Sequence, residues 1–231
     1  MKKMKFAALV ALAGFGAAFS WTSARADDGP YNDIRAGSYT VFYHLHADDL
    51  SGPYVPPGVN FEAVDLETLY LGYIRRLPYN LQVELAMGYP PLAKIKGTFP
   101  PVLEALNGDV IASSRWISPT VLLEYSFFDE KAPIRPFIGV GVNYTTFYAR
   151  DSTAEGNAAA GGPTRLSLSA SVGPAITAGW TAHFDPRWHV TMSYSAAQVK
   201  SNLVANTDGV LRTSRLSFGP QALIIALGYS F

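Results

Sequence analysis

The sequence predicts an all-β fold, an eight-stranded antiparallel transmembrane β-barrel with short periplasmic turns and longer extracellular loops. Three observations lead to this prediction. The chain begins with a secretory leader, the remainder alternates between apolar and small polar residues, and short connectors alternate with long ones. An alternation with a period of two is typical of a β-strand that has one apolar face.

The leader occupies residues 1–26. A basic start, Met1 to Lys5, precedes an apolar run from Phe6 to Phe19 and an Ala24-Arg25-Ala26 cleavage site. This order is typical of a cleavable signal peptide. A transmembrane anchor is disfavoured because the apolar run has 14 residues, whereas a helical span needs about 20. We therefore predict an exported barrel domain over residues 27–231.

Composition narrows the class of the mature chain. The leader holds four of the 18 basic residues and none of the 18 acidic ones, so the mature chain has a formal net charge of −4 and no cysteine. We therefore expect no nucleic-acid partner and no thiolate metal site. Charged residues make up 16% of the chain, below the roughly 25% of soluble domains. With 13% aromatic residues, this composition favours a membrane barrel.

Four segments show the alternation most clearly, and each has one bulky apolar face and one small polar face. They begin at Leu81, Ile138, Leu166 and Trp188. A soluble β-sandwich would show the same alternation with its apolar faces inward. The polar faces here carry mainly Gly, Ser, Thr and Asn rather than the Lys and Glu of a solvated face. They therefore fit a narrow lumen, with the apolar faces against lipid.

Eight strands and seven connectors follow from this pattern. The predicted strands are 34–45, 65–76, 81–90, 113–127, 135–148, 164–182, 187–200 and 211–231. The short turns are 77–80, 128–133 and 183–186, and the longer connectors are 46–64, 91–112, 149–163 and 201–210. Three short and four long connectors suit a barrel with both termini in the periplasm.

Two local features depart from the regular pattern. In the last strand the apolar residues change parity around Gly219-Pro220, which predicts a bulge or bend there. Residues 102–108 end in Gly108 and form the one helix that we predict after the leader.

Polar residues on the small faces are candidates for the lumen lining. They are Glu84, Thr120, Glu124, Asn143, Thr145 and Ser169. The two glutamates could form a paired-carboxylate site. A hydrogen-bond and ion-pair network with arginine or lysine is favoured, because a carboxylate buried without partners is costly.

The predicted outer rim carries His44, His46, Tyr54 and Phe99. The two histidines are two residues apart on one strand face, a spacing that could present two imidazoles to a metal ion. No third ligand is evident beside them, so a water-exposed rim position is favoured, and we predict neither a metal nor a cofactor. Aromatic residues near the strand ends favour an interfacial girdle. They are Tyr70, Tyr73, Tyr89, Trp116, Tyr125, Phe127, Tyr144, Phe147, Trp180, Trp188 and Tyr194.

The chain ends in Gly228-Tyr229-Ser230-Phe231. A terminal Phe231 with Tyr229 two residues before it resembles the signal that the outer-membrane barrel assembly machinery reads. The segments 118–127 and 134–147 resemble the OmpW family. This resemblance implies a barrel in the outer membrane of a Gram-negative bacterium, surrounded by lipid, with a narrow and partly apolar interior. Glu124 departs from the family, which often has an uncharged amide there, so the lumen polarity of this chain can differ.

The resemblance also implies a function, the passage or uptake of small hydrophobic or amphipathic ligands. The alternative is a non-transporting surface barrel that acts as a receptor through its outer loops. A lipid-modifying enzyme is the least favoured reading, because no Gly-x-Ser-x-Gly motif occurs, and we predict no catalytic residues. An eight-stranded interior is nearly filled by side chains, so we expect no open aqueous pore.

Overall fold

A computed structural model describes residues 31–101, 104, 107–129 and 132–231. The predicted signal peptide at 1–26 lies outside the described residues, and so does most of the predicted helix at 102–108. No helix within these ranges has the length and apolar character needed to cross a membrane.

The described residues form fifteen β-strands and one short helix. In chain order the strands are β1 Asn32–Phe42, β2 His46–Ala47, β3 Asn60–Ala63, β4 Leu66–Arg76, β5 Leu81–Gly88, β6 Leu92–Thr98, β7 Val110–Ile117, β8 Thr120–Ser126, β9 Ile134–Ser152, β10 Thr164–Leu168, β11 Ser171–His183, β12 Trp188–Ala197, β13 Lys200–Thr207, β14 Val210–Ser217 and β15 Gln221–Ser230. The helix, α1, is Ala154–Ala160.

Eight of these strands close a barrel on the periplasmic side. Their order is β1-β4-β5-β8-β9-β11-β12-β15, and β15 pairs antiparallel with β1. The closing pair aligns Ile34 with Tyr229, and the Phe231 amide donates to the Asn32 carbonyl at 2.8 Å. The predicted eight-stranded antiparallel barrel is therefore confirmed.

The outer half is built by continuations of the same eight strands. All but the long strand β9 are interrupted by a few residues, and β2, β3, β6, β7, β10, β13 and β14 continue beyond the interruptions. The strands therefore reach further outward than predicted, with β3 and β6 inside the intervals predicted as loops. The expected long connector at 201–210 is wrong, because β13 and β14 join through a two-residue turn, Asp208-Gly209. Both turn residues have positive φ, 49° and 92°, as tight hairpin turns require.

Helix α1 lies in the third outer loop and was not predicted. The Thr153 hydroxyl caps its start by accepting from the Gly156 amide at 3.0 Å. Gly161 ends it in the left-handed conformation, a common helix stop. The helix spans seven residues, which is too short to show an apolar periodicity in the sequence.

Because the strands alternate, apolar side chains of the periplasmic half face lipid and small polar side chains face the lumen. On the outside, Val140, Val172 and Ile176 expose 62%, 71% and 58% of their surface. Such apolar exposure is favourable only where lipid covers it. The predicted bend is present, since β14 and β15 are separated at Gly219, which has a φ of 46°.

The apolar parity change in the last strand has a different cause from the one predicted. Leu216 and Phe218, before the bend, are buried on the inside, and so are Ala222 and Ile224 after it. Even-numbered residues therefore face the inside both before and after the bend. What changes is the chemistry of the lumen, which is apolar in the outer half of the barrel and mostly small or polar below.

Candidate functional site

The outer half of the barrel encloses a cavity of about 230 Å³. Its wall is a cluster of buried apolar side chains drawn from six of the eight barrel strands. The cluster consists of Val41, Ala93, Trp116, Phe147, Val199, Leu203, Leu216 and Phe218. Burial of an aliphatic or aromatic surface is the main source of affinity for an apolar ligand. The cavity is therefore suited to hydrophobic molecules.

Aromatic rings form one side of this wall. The rings of Phe147 and Phe218 have centroids 5.4 Å apart, and Tyr43 meets Phe218 edge-on at 6.4 Å. Trp116, Phe147 and Tyr70 were predicted as girdle residues, and this prediction is wrong, because all three are buried inside the barrel. The residues that expose aromatic rings on the outside include Tyr73, Tyr125, Trp180 and Trp188.

The floor of the cavity is polar and hydrogen-bonded. Asn143 donates from Nδ2 to the Thr120 hydroxyl at 2.8 Å and to the Ser118 hydroxyl at 2.7 Å. The Thr145 hydroxyl in turn donates to Asn143 Oδ1 at 2.8 Å. Thr120, Asn143 and Thr145, which were lumen candidates, therefore lie together as one network. A polar floor under an apolar wall makes the cavity amphipathic.

Below the floor lies a buried charged cluster. Arg35 forms an ion pair with Glu84 at 3.8 Å, and both side chains are at most 6% exposed. Tyr70 donates to Glu84, and Gln82 Nε2 donates to Glu124 Oε2 at 2.5 Å. The two glutamates thus sit in the ion-pair and hydrogen-bond network that the sequence favoured. This arrangement gives Glu84 the partners that a buried carboxylate needs, whereas Oε1 of Glu124 has no hydrogen-bond partner among the described residues.

A second layer of polar contacts lies nearer the periplasm. Arg76 Nη2 contacts Asp33 at 3.0 Å and the Ser230 hydroxyl at 3.1 Å. Arg35 Nε donates to His189 Nε2 at 3.4 Å, which joins the two layers. We call the set Asp33, Arg35, Arg76, Glu84, Glu124 and His189 the periplasmic plug. Its side chains lie inside the lower barrel, and all but Arg76 belong to residues that are at most 5% exposed.

The fold and the cavity can now be compared with those of known proteins. The model of the OmpW family matches residues 80–231. The chain belongs to the OmpW family. It is accordingly an outer-membrane β-barrel protein of a Gram-negative bacterium.

Individual relatives agree with this assignment. Outer membrane protein W of Vibrio cholerae is 26% identical over 121 residues, which are 52% of this chain and 55% of that protein. This match spans about half the length of that relative. The dibenzothiophene metabolism operon protein PahQ of Pseudomonas aeruginosa is 25% identical over 208 residues, 89% of this chain and 90% of that protein.

A solved structure supports the fold. The outer membrane protein OprG from Pseudomonas aeruginosa superimposes with a TM-score of 0.79 at 21% identity. The comparison covers 88% of this chain and 96% of that one. At this identity the likeness concerns the fold alone.

The rim residues of this OmpW-family barrel fall into two groups. Tyr54 and Phe99 line the outer end of the cavity. His44 and His46 are exposed and alternate with Tyr43 and Leu45, which pack inward. Among the described residues, no group of three or more His, Cys, Asp or Glu side chains could hold a metal ion.

Ser169 requires a correction. It was predicted to line the lumen, but its side chain is exposed at the interruption between β10 and β11. Its hydroxyl accepts from the Asn202 amide at 2.9 Å. The interruption shifts the alternation by one residue, so Leu168 packs inward before it and Val172 faces lipid after it.

The C-terminal residues lie where the barrel closes. Phe231 is 54% exposed, and Tyr229 packs edge-on against Trp188 with centroids 5.0 Å apart. The Tyr229 hydroxyl accepts a hydrogen bond from Arg187 at 3.1 Å. This bond raises the pKa of the Arg187 guanidinium above its ordinary value. Recognition of these residues by the assembly machinery stays a prediction.

One arginine in the outer lumen was not anticipated from the sequence. Arg212 is 9% exposed and donates to the Pro53 carbonyl and to the Ala160 carbonyl, both at 3.2 Å. It therefore ties the first and third outer loops to β14 over the mouth of the cavity.

The wall also has a seam where two neighbouring strands part. The β5–β8 ladder ends at the pair Ala86–Thr120, and the β6–β7 ladder begins at Leu92–Arg115. Pro90 and Pro91 lie between them and have no N–H to donate, so the ladder cannot be continued there. Ala86 and Trp116, on either side of the seam, both line the cavity.

Proposed function

We propose that this protein takes up small hydrophobic or amphipathic molecules from outside the cell. The observation that carries the proposal is the apolar cavity beneath the outer loops, with the periplasmic plug below it. A non-transporting barrel would have little use for a buried apolar chamber, whose unfilled volume costs stability. The name of one relative, a dibenzothiophene metabolism operon protein, is consistent with an apolar ligand.

We infer that bound molecules leave sideways through the wall rather than down the axis. The plug places paired charges across the axial path, and an apolar molecule would have to displace them at high cost. The strand ladder is instead interrupted at the seam beside Pro90, which lies between the cavity and the lipid, where an apolar molecule is favoured. The protein would then transfer its ligand into the membrane.

Filling the cavity tests uptake directly. Ala93 and Ala205 are buried in the cavity wall, so Ala93→Trp and Ala205→Phe would each occupy part of the ligand volume. The matched control is Ala178→Trp, since Ala178 is exposed on the lipid side of β11. For the two cavity variants, we expect whole-cell uptake of radiolabelled naphthalene to fall to the level of cells without the barrel. The Ala178→Trp control should keep the wild-type uptake.

Equal uptake by the wild type, the cavity variants and cells that lack the protein would contradict the proposal. The exit route has its own test, because Arg35→Ala with Glu84→Ala removes both partners of the central ion pair and opens the plug. Unchanged naphthalene uptake by this double variant is expected for a sideways exit. A several-fold rise would show that the ligand leaves along the axis.

The receptor alternative rests on the outer loops, which Arg212 holds over the mouth. The same contacts suit a cover over a ligand chamber. The cavity therefore favours uptake over the receptor role.

A further inference from the structure

Two polar atoms in the apolar wall have no partner. Tyr43 Oη and Trp116 Nε1 are both buried, and neither has a hydrogen-bond partner within the described part of the chain. Trp116 as a whole is 6% exposed. A buried polar group without a partner is disfavoured by about 1–3 kcal/mol, and such groups are rare in folded proteins. Their presence in a ligand chamber calls for an explanation.

The two atoms belong to one small region of the wall. The Trp116 indole N–H lies close to the Tyr43 hydroxyl, but the two groups do not have the geometry of a hydrogen bond with each other. Tyr43 also packs against the cluster that contains Trp116. Both residues line the cavity. An indole N–H can only donate, and a phenol hydroxyl can donate as well as accept. Together they offer two donors to whatever occupies the chamber.

The charges around the cavity favour an acceptor as the ligand's polar group. Arg150 and Arg212 line its outer part, and both donate to main-chain carbonyls. The one carboxylate among the described lining residues is Glu84 at the floor, where Arg35 and Tyr70 already engage it. A cationic ligand group would therefore meet no free anion, whereas an oxygen acceptor would meet two unused donors.

We propose that Tyr43 and Trp116 form an oxygen-recognition site, and that the preferred ligands are hydrophobic molecules bearing a carbonyl or similar acceptor oxygen. A carbonyl oxygen has two lone pairs and can accept from both residues. The Phe147 and Phe218 rings beside this pair then hold the apolar body. The inference rests on the proposed uptake function and specifies its ligand class.

A matched pair of ligands tests this site. 2-Acetonaphthone and 2-ethylnaphthalene have nearly the same shape, but only the ketone carries an acceptor. Their binding is measured on the full barrel in lipid nanodiscs, with empty nanodiscs correcting for partition into lipid. We expect the ketone to bind about tenfold more tightly to the wild type, which corresponds to about 1.4 kcal/mol.

Two variants remove one donor each and keep an aromatic ring at the position. Tyr43→Phe and Trp116→Phe should each lose most of the ketone preference, and their affinity for 2-ethylnaphthalene should stay within about twofold. Tyr194→Phe is the matched control. Tyr194 is 48% exposed on the lipid side and donates to Gln221. It should keep the wild-type preference.

Each outcome separates this inference from the proposed function. Binding of neither ligand by the wild type would overturn both. Equal affinity for the two ligands would leave uptake intact and overturn the oxygen site, since water rather than ligand would then satisfy the pair. A ketone preference that survives in Tyr43→Phe and in Trp116→Phe would likewise overturn it.

Discussion

Arg35 is the residue on which the periplasmic plug depends most. Its side chain is 3% exposed, and it is the cation nearest to Glu84, at 3.8 Å. It also donates to His189. The variant Arg35→Met keeps an unbranched side chain and removes the charge and the donors. Glu84 would then stay buried without the arginine that compensates its charge.

The expected loss can be worked from the burial of this pair. Breaking a buried ion pair by removing one partner costs about 3–5 kcal/mol. With a urea dependence of about 2 kcal/mol per molar, a 4 kcal/mol loss lowers the unfolding midpoint by about 2 M. The assay is urea unfolding of the barrel in lipid vesicles, followed by tryptophan fluorescence and by the mobility shift of folded barrels on gels.

The chain offers a matched control for this substitution. Arg215 pairs with Asp48 at 3.5 Å, but the two side chains are 85% and 65% exposed. Arg215→Met should therefore cost less than about 1 kcal/mol. Adding Glu84→Gln to Arg35→Met should recover part of the stability, because it removes the stranded carboxylate. Equal losses in the buried and exposed variants would refute the reasoning.

Three further predictions concern other parts of the barrel. Gly228→Ala would place a Cβ 2.0 Å from His189 Nε2, so we expect a lower unfolding midpoint, and an unchanged midpoint would contradict the close packing. Arg212→Met removes the donors to the Pro53 and Ala160 carbonyls. A protease added outside cells should therefore cut the outer loops faster than in the wild type. An unchanged cleavage rate would show that Arg212 does not hold these loops in place. Thr153→Ala removes the N-terminal cap of α1, which stabilises the helix by about 1 kcal/mol. Hydrogen exchange of the α1 amides should therefore become about fivefold faster. Unchanged exchange would show that the cap does not stabilise the helix.

The membrane barrel could be predicted because its signals are local. Alternation along each strand marks the lipid face, and Pro, Gly and Asn mark the turns. The network around Glu84 and Glu124 was also predictable in kind, since buried carboxylates need partners. The individual members of this network could not be predicted. The contacts of Arg35 with Glu84 and His189 join residues 49 and 154 positions apart, and they depend on strand register.

The residues that form the cavity wall were missed for a physical reason. Aromatic residues near strand ends suit a lipid girdle as well as an apolar lumen, and a sequence does not tell which face points inward above an interruption. Trp116 and Phe147 were assigned to the girdle on this ground, and Tyr43 was not singled out. The interruption at Ser169 led to a wrong lumen assignment for the same reason, since it shifts the alternation by one residue.

The central claim is that the outer half of the barrel holds a small hydrophobic ligand. The most direct test is to measure intermolecular nuclear Overhauser effects between naphthalene and methyl-labelled protein in nanodiscs. We predict contacts to Val41, Leu203 and Leu216, which line the cavity. Contacts confined to Ile138, Val140 and Val172, which face lipid, would contradict the claim and place the ligand in the bilayer alone.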